Sequence, residues 1–363
     1  MLASANFLPH VGGIERFVEM LAGGLAARGH EVTVVCCRYD GAPEREEGPF
    51  EIVRVPSTYA LERRLGVPYP LPSPTLVRTL GRLLREAEVV HVQDAVYATS
   101  VASLLAARRR RVPSVLTQHV AFVPQANPAL DAIERVALGT IARAARLATV
   151  VATLNPAVAD WAAKTWRIAE PRVLPVGVPE PPGAGTDRAA VRRSFGLPED
   201  RFVALFVGRD VPKKGLDVFL RAGDPAYELV AVTDRAGSDS DATILPFMAA
   251  DRLGELLHAV DAFVLPSEGE GFPLTLQEAF ATGLPVVTTM QAGYEHYLAP
   301  ADVLVVEREP GSVREALLQL TSQPSLRETL AARSRTVAEA HFGLDRFVSA
   351  YEELYAEAIS RPA

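Results

Sequence analysis

The amino-acid sequence predicts an α/β protein with two domains, each built on a doubly wound parallel sheet. Segments with strand character alternate with segments of helical periodicity in both halves of the chain, as parallel sheets require. A stretch rich in proline and glycine, Val178–Gly185, separates the halves and is the best candidate linker. The length of 363 residues also fits two domains of about 150–200 residues. We therefore expect an N-terminal domain over residues 1–178 and a C-terminal domain over residues 186–343.

The first half begins with a very short apolar segment, followed by a helix. Apolar residues recur at helical spacing from Ile14 to Leu25, and Gly29 is suited to end that helix. The pattern predicts strands at Leu2–Ala5, Glu31–Cys36, Glu51–Val55, Glu88–Val92, Val112–His119 and Ala148–Leu154, and further helices at Leu76–Ala87, Ala98–Arg109 and Leu130–Ala144.

The alternation restarts after the candidate linker. The pattern predicts strands at Arg201–Val207, Tyr227–Val232, Ala262–Leu265 and Pro285–Thr289, and helices at Leu216–Arg221, Leu253–Val260, Thr275–Ala281, Val313–Leu320, Ser325–Ala340 and Leu344–Ile359. Each half thus provides enough parallel strands for a sheet of its own.

The composition excludes several classes of protein. Hydrophobic residues make up 48% of the chain and charged residues 22%, which excludes a disordered protein. The net charge of −7 argues against a generally basic nucleic-acid binder. The two cysteines, Cys36 and Cys37, are adjacent and cannot build a disulfide framework or a cysteine-rich zinc site. A reducing cytoplasm is the expected compartment.

The sequence contains no signal for crossing a membrane. It has no apolar run of about 18 residues, and its first ten residues lack the basic and apolar regions of a signal peptide. The basic run Arg108–Arg111 ends a predicted helix, where cations are favourable. Peripheral contact of this run with a membrane is the less favoured alternative.

Ligands of open α/β sheets bind at the carboxyl ends of the strands, so the residues that follow each predicted strand are the candidates for a binding site. Gly12 and Gly13 precede the first helix, where small residues let an anion approach the backbone amides. A tight turn that needs glycine only for its dihedral angles is an equally good explanation. The chain has neither a G-x-G-x-x-G segment here nor a G-x-x-x-x-G-K-[ST] segment anywhere. A Rossmann dehydrogenase and a P-loop NTPase are therefore disfavoured.

The loop Gly208–Gly215 follows a predicted strand of the second half and carries two separated cations. Arg209 offers a planar fork that matches phosphate oxygens, and Lys214 offers a compact charge. Both could close on a diphosphate. From this loop alone, a solvated basic turn is the preferred interpretation.

The segment Ser267–Pro285 contains two glutamates separated by seven residues. Glu270 lies in a glycine-flanked loop, and Glu278 is expected in the first turn of a helix. Carboxylates accept paired hydrogen bonds from vicinal hydroxyls, so the two suit a sugar and a ribose. Glu278 has an equally good structural explanation, because Thr275 and Glu278 have the spacing of a capping box. Glu270 has no such structural role.

Three further features are weaker. His119 ends an apolar strand and could donate, accept or stabilise charge, or could be a hydrogen-bonded histidine at a sheet edge. His91, between Val90 and Val92, is interpreted as structural. Asp239 and Asp241 have the D-x-D spacing of a metal–diphosphate site, but their surroundings have the composition of a solvated loop.

Taken together, the segments resemble the retaining glycosyltransferases of family 4, which have the GT-B fold. The resemblance covers nearly the whole chain. It is carried by Pro9–Arg16, Leu25–Val35, Val89–His91, Leu116–His119, Val173–Gly177, Val207–Arg209 with Lys214–Gly215, and the E-x7-E run from Glu270 to Glu278. It implies two Rossmann-like domains facing a central cleft, with a last helix within residues 344–363 that crosses back onto the N-terminal domain. The acceptor would be bound mainly by residues 59–72 and 120–128.

The resemblance also implies roles for individual residues. The implied catalytic residues are His119, Arg209, Lys214 and Glu270. The implied donor-binding residues are Gly12, Gly13, Arg209, Lys214, Glu270, Gly271, Phe272, Pro273, Leu274, Thr275 and Glu278. Within these sets, the two cations would bind the diphosphate, Glu278 the ribose, and Glu270 with the amides of Gly271 and Phe272 the transferred sugar.

The implied activity is metal-independent transfer of a hexose from a nucleoside-diphosphate sugar, with retention and without a cofactor. We expect a small polar or natural-product acceptor and no nucleic-acid partner. A sugar-nucleotide epimerase or isomerase on the same scaffold is the main alternative, and a non-catalytic binder is a weaker one. The sequence departs from the family in its short first strand, in the lean segment Gly215–Leu245, in Val232–Asp234, which replaces a common glycine-rich turn, and in Val176.

Overall fold

A computed structural model describes residues 1–10, 12–39, 41–60, 69–121, 139–235, 237 and 242–361. The chain divides into two compact units. The first contains Met1–Val176 together with Leu344–Ala363, and the second contains Gly177–Gly343. The chain therefore leaves the first unit once and returns to it for its last helix.

The first unit is built around one large sheet. Its strands are β1 (Leu2–Ala3), β2 (Thr33–Cys37), β3 (Arg45–Glu46), β4 (Glu51–Val55), β7 (Val90–Gln93), β8 (Ser114–Gln118), β9 (Val150–Thr153) and β10 (Arg172–Val173), and a separate hairpin-like pair is formed by β5 (Ser57–Thr58) and β6 (Leu71–Pro72). Its helices are α1 (Gly13–Ala27), α2 (Thr75–Leu83), α3 (Ala98–Arg110), α4 (Pro156–Trp166) and the C-terminal α11 (Leu344–Ser360), and residues 139–145 are also helical.

The strand order of this sheet is β10-β9-β8-β7-β1-β2-β4-β3, and every pairing except β3 with β4 is parallel. The order changes direction between β1 and β7, so the loops after these strands diverge and leave a crevice at their carboxyl ends. Trp166 is fully buried in the apolar core beneath the sheet.

The second unit contains a six-stranded sheet. Its strands are β11 (Phe202–Val207), β12 (Tyr227–Val232), β13 (Thr243–Leu245), β14 (Ala262–Leu265), β15 (Val286–Thr288) and β16 (Leu304–Val305). Its helices are α5 (Arg188–Ser194), α6 (Leu216–Leu220), α7 (Ala250–Ala259), α8 (Leu274–Thr282), α9 (Pro310–Ser322) and α10 (Pro324–His341).

The strand order β13-β12-β11-β14-β15-β16 is parallel throughout and reverses between β11 and β14. This is the doubly wound arrangement that the alternating pattern predicts. Phe206, Phe263 and Phe280 are fully buried in its core. Burial of each of these side chains stabilises the folded unit by about 2–3 kcal/mol. Phe206 and Phe263 thereby anchor the two central strands, β11 and β14, from which the next loops start.

The predicted linker is part of the second unit. The Val178 amide donates to the Phe342 carbonyl at 2.8 Å, and His258 Nε2 lies 3.0 Å from the Pro181 carbonyl oxygen. A Cβ on Gly254 of α7 would lie 2.4 Å from the Pro182 carbonyl oxygen. The stretch is therefore packed against α7. Its prolines and glycines allow close contact between backbones and do not form an extended free linker.

Some predicted features fall wholly or partly outside the described residues. These are Asp239 and Asp241, most of the helix expected at Leu130–Ala144, and residues 61–68 and 122–128 of the two segments that were expected to bind the acceptor. Within the described part of the chain, every helix is too short or too polar to span a bilayer.

Candidate functional site

Two loops lie side by side where the second sheet reverses its order. One follows β11 and covers 208–215, and the other follows β14 and covers 266–273. Gly215 joins them, because its φ is +75° and a Cβ there would lie 2.3 Å from the Pro266 carbonyl oxygen. The Glu268 amide also donates to the Lys213 carbonyl at 2.8 Å. The two loops that carry the predicted cations and the predicted glutamate are thus held together by backbone contacts.

Two of the predicted site residues, Lys214 and Glu270, meet in this arrangement. Lys214 Nζ lies 3.3 Å from Glu270 Oε2, and the Glu270 side chain is only 9% exposed. Lys213, which the sequence did not single out, lies 3.4 Å from Glu270 Oε1 and is 45% exposed. Burial lowers the pKa of the Lys214 ammonium, Glu270 opposes this shift, and Lys213 and Arg209 add to it. Arg209, Lys213 and Lys214 thus place three positive charges close to the buried carboxylate of Glu270, in a partly desolvated place.

Glu270 keeps an unused acceptor. Its Oε1 is buried and receives no hydrogen bond from the described part of the chain, although Lys213 is within ion-pair distance. A buried carboxylate oxygen without a donor is costly unless a ligand supplies one. This atom is therefore suited to accept a hydroxyl of a bound molecule.

Arg209 is exposed beside this pair and forms no ion pair with any residue that the structure describes. The loop around it is anchored by residues after β12. The Asp210 amide donates to Asp234 Oδ1 at 2.6 Å, and Arg235 bonds Asp210 at 2.8 Å and Asp217 at 2.6 Å. Val232–Asp234, where the sequence lacks the common glycine-rich turn, thus leads into an ionic brace for the cationic loop.

Gln291 is a positioning residue that sequence reasoning missed. Its Oε1 accepts from the Glu270 amide at 3.0 Å, and its Nε2 donates to the Ser267 carbonyl at 3.1 Å. The same nitrogen lies 3.2 Å from Ser267 Oγ and 3.3 Å from the Tyr294 hydroxyl oxygen. Gln291 lies in the loop after β15, at the carboxyl end of a predicted strand. This position is the signal in the sequence that could have identified it.

The capping box expected at Thr275 and Glu278 is not formed. Helix α8 begins at Leu274 with Pro273 as its N-cap, and no side chain caps it. Thr275 is the second residue of the helix, its Oγ1 is buried and, among described residues, without a hydrogen-bond partner. Glu278 is the fifth residue, so the expectation of the first turn was also wrong, and its side chain is partly exposed. The structural explanation for Glu278 thereby loses its main support.

The residues between Glu270 and Glu278 have backbone groups, and not the Phe272 side chain, available to a ligand. Phe272 is 5% exposed, and its ring lies 4.7 Å from Tyr294 and 4.9 Å from Phe342, so its side chain belongs to the core. In this segment Gly269, and not Gly271, has the left-handed backbone conformation, with φ +66°. Leu274 starts α8 directly after the N-cap Pro273, and the first amides of this helix point out of its N-terminus.

The predicted glycines of the first unit lie at the start of α1. Neither Gly12 nor Gly13 has a positive φ, so the tight-turn explanation does not account for them. A Cβ on Gly12 would lie 2.4 Å from Glu15 Oε2, whereas a Cβ on Gly13 would meet nothing within 4 Å. Gly13 therefore has open space above it, as a ligand approaching the helix N-terminus needs.

His119 lies at the carboxyl end of β8 but is buried. Its Nε2 lies 2.9 Å from Gln93 Oε1, its amide donates to Asp94 Oδ1 at 2.8 Å, and its ring packs edge-on against Phe17 at 4.8 Å. Burial lowers the pKa of His119 to about 3. The imidazole is therefore neutral near neutral pH, which leaves hydrogen bonding as its available chemistry.

His91 is enclosed by hydroxyl groups, in agreement with its structural interpretation. Its Nδ1 lies 2.8 Å from the Tyr355 hydroxyl, and its Nε2 lies 2.7 Å from Thr117 Oγ1. Tyr351 stacks on the ring at 5.2 Å and shares the Thr117 hydroxyl at 3.0 Å. These contacts fix α11 to β7 and β8. Burial lowers the pKa of His91 well below its ordinary value.

We expect the first unit to lose stability in acid, because burial lowers the pKa values of His91 and His119. Both have lowered pKa values in the folded chain, whereas an unfolded histidine titrates near 6.5. The unfolded chain therefore binds more protons below that pH, so stability is complete above about pH 6.5 and declines as the pH falls towards about 3. We expect the melting temperature of His119→Gln to depend less steeply on pH between 7 and 4.5 than that of the wild type. Parallel curves would contradict the assignment.

The family profiles match the chain in both halves. The profile described as Glycosyltransferase Family 4 matches residues 11–180, and the one described as Glycosyl transferases group 1 matches residues 223–337. The D-inositol 3-phosphate glycosyltransferase of Acidothermus cellulolyticus is 30% identical over 394 residues, which cover 96% of this chain and 86% of that protein. The chain belongs to glycosyltransferase family 4. The predicted family and enzyme class are confirmed.

Other relatives match over a shorter length. The D-inositol 3-phosphate glycosyltransferase of Streptomyces griseus is 32% identical over 222 residues, 52% of this glycosyltransferase and 46% of that protein. The Salinispora arenicola relative is matched over 45% of its length, so the chain spans about half of these two relatives.

Solved structures confirm the GT-B fold. Sucrose-phosphate synthase from Thermosynechococcus elongatus superposes with a TM-score of 0.76 at 20% identity, over 98% of each chain. Anabaena HepE in complex with UDP and glucose superposes with a TM-score of 0.78 at 17% identity, over 98% of this chain and 99% of that one. At these identities the likeness concerns the fold.

Proposed function

We propose that this family 4 member is a retaining glycosyltransferase that moves a sugar from a nucleoside-diphosphate sugar to a hydroxyl of a small polar acceptor. The observation that carries the proposal is the group formed by Lys214, Glu270 and Arg209 on two loops at the reversal point of the second sheet. A partly desolvated cation, an exposed cation and a carboxylate with a spare buried oxygen suit a diphosphate bound to a polyhydroxylated group.

In the proposed reaction, the bond between the anomeric carbon and the diphosphate oxygen breaks, and a bond to the acceptor oxygen forms. Negative charge develops on the leaving diphosphate, and Lys214 and Arg209 stabilise it where water is partly excluded. The acceptor proton passes to the leaving phosphate oxygen on the same face of the sugar, which gives retention without a protein nucleophile. With two cations at the diphosphate, a metal ion is not required.

The carboxylates would hold the rest of the donor. Glu270 Oε1 accepts a hydrogen bond from a hydroxyl of the transferred sugar, and Gln291 holds the backbone of Glu270 in place. Glu278, which lies on α8, accepts hydrogen bonds from the ribose hydroxyls. In the first unit, Gly13 leaves open space at the start of α1 for a ligand, and His119 at the end of β8 is neutral. The HepE structures contain UDP, and UDP with glucose, which supports a nucleotide-sugar donor.

The relatives are named as D-inositol 3-phosphate glycosyltransferases, which makes D-inositol 3-phosphate the first acceptor to test. The experiment incubates the chain with UDP-, GDP-, ADP- or dTDP-sugars and this acceptor in the presence of EDTA. We expect one donor to release its nucleoside diphosphate in an acceptor-dependent way, and the product to keep the anomeric configuration of the donor. Conversion of the donor sugar without release would instead indicate an epimerase or isomerase. Release only after metal addition, or inversion, would contradict the corresponding part of the proposal.

A further inference from the structure

The first unit has an arginine-lined cavity at the amino ends of its strands, whereas His119 lies at the carboxyl end of β8. The cavity has a volume of about 420 Å³ and is lined by Ser114, which starts β8, and Thr149, which precedes β9. His119 follows the last residue of β8, so about 16 Å of extended strand separates the two edges. The cavity therefore lies away from the carboxyl ends of the strands of this sheet, where Gly13 and His119 lie.

Four guanidinium groups from three parts of the chain line this cavity. Arg108 and Arg111 come from the end of α3, Arg146 follows the helical residues 139–145, and Arg361 follows α11. Arg361 is paired with Glu357, which also binds Arg172 at 2.7 Å. Arg146 donates to the Trp166 carbonyl at 3.2 Å. Among described residues, Arg108 and Arg111 have no side-chain hydrogen bond or ion pair, and Arg146 has no ion pair.

The helix ends do not account for this much charge. A helix C-terminus carries about half a negative charge, so the ends of α3 and of the helical segment at 139–145 offset about one cation. Arg108, Arg111 and Arg146, which form no ion pair with any described residue, are exposed around one cavity. Water screens part of their mutual repulsion, and an anion placed between them would relieve the remainder. Arginine also matches phosphate oxygens with paired hydrogen bonds.

We propose that this cavity is a second anion site, which binds a phosphate-bearing ligand independently of the nucleotide-sugar loops. Its volume falls within the range of about 300–1,000 Å³ that small-molecule sites occupy. The ligand chemistry is a phosphate or diphosphate group, and it is available both in free phosphate compounds and in anionic lipid headgroups.

The test compares two charge-matched double variants. R108Q/R111Q removes the two cavity cations that have no partner in the described chain, so the fold should persist. R109Q/R110Q removes the same charge from the same helix, but at residues that do not line the cavity. Pyrophosphate is titrated into each by calorimetry. We expect R108Q/R111Q to bind at least about tenfold more weakly than R109Q/R110Q and the wild type at one site. Equal affinities in the two variants would overturn the proposal.

The wild type and both variants keep the donor loops, so pyrophosphate bound there cannot produce the expected difference in affinity. The test of this site is therefore independent of the test of the proposed function. Sedimentation with phosphatidylcholine vesicles that contain phosphatidylglycerol identifies the source of the anion. Vesicle binding that pyrophosphate competes away, and that R108Q/R111Q loses, supports the site with a lipid headgroup as its ligand. Pyrophosphate binding that R108Q/R111Q loses, without vesicle binding, supports the site with a free phosphate compound as its ligand.

Discussion

Lys214→Met is expected to lower kcat/KM for acceptor-dependent release of nucleoside diphosphate by about 10²–10³-fold. The ammonium group lies 3.3 Å from Glu270 and is largely buried, so its interaction with a developing charge on the leaving diphosphate is only weakly screened. The methionine keeps the length of the side chain and removes the charge. The loss should appear in kcat, because the charge on the leaving group is greatest in the transition state.

Lys213→Met is the matched control for this change. Lys213 is the preceding residue in the same loop, carries the same charge and also contacts Glu270, but its side chain is 45% exposed. Solvent screens an exposed charge, so we expect a loss below about tenfold. Equal losses in the two variants would show that the loop acts only through its total charge and would contradict a specific role for Lys214.

Gly215→Ala should combine a large loss of stability with a loss of activity. The residue has φ +75°, and its new Cβ would overlap the Pro266 carbonyl oxygen at 2.3 Å, which is backbone and cannot move aside alone. We expect the free energy of unfolding of the second unit to fall by about 2–4 kcal/mol. For a unit of this size, that corresponds to a melting temperature lower by about 5–15 °C. The overlap also separates the loop of Lys214 from the loop of Glu270, so donor binding should weaken at temperatures where the variant is folded.

Gly311→Ala is the control for the glycine substitution. Gly311 lies in the first turn of α9, has an ordinary φ, and a Cβ there would meet nothing within 4 Å. Alanine favours helix over glycine by up to about 1 kcal/mol, so the variant should melt at the same or a slightly higher temperature. Differential scanning calorimetry measures both variants. A Gly215→Ala melting temperature within 2 °C of the Gly311→Ala value, where ~2 °C corresponds to less than 1 kcal/mol, would contradict the argument.

The buried strands could be predicted from the sequence because their apolar runs are long and rich in valine. The predicted bounds of β4, β12 and β14 agree with the structure. The edge strands β10 and β16 have two residues each, which is too short for any periodic pattern. Helix α4 was missed although its start is marked, since Asn155 caps the Val158 amide at 2.9 Å and Pro156 follows it.

The site could be predicted only in part, because sequence spacing says little about contacts between distant loops. Lys214 and Glu270 were singled out from their own loops, and the structure brings them together through Gly215. Gln291 was missed because only its position after a predicted strand marks it in the sequence. Its role depends on contacts with Ser267 and Glu270, which are 24 and 21 residues away. The capping box at Thr275 failed because α8 begins one residue before it, with proline as its N-cap.

The central claim is that the loops of the second unit bind a nucleoside-diphosphate sugar through Lys214, Glu270 and Glu278. Calorimetric titration of UDP, GDP, ADP and dTDP in the presence of EDTA tests this claim most directly, with the wild type, Lys214→Met and Glu278→Gln measured side by side. The account predicts that the wild type binds one of these nucleotides and that each variant binds it at least about tenfold more weakly, as expected when a charged hydrogen-bonding partner is lost. Absence of binding by the wild type to all four nucleotides, or equal binding by the wild type and both variants, would contradict it.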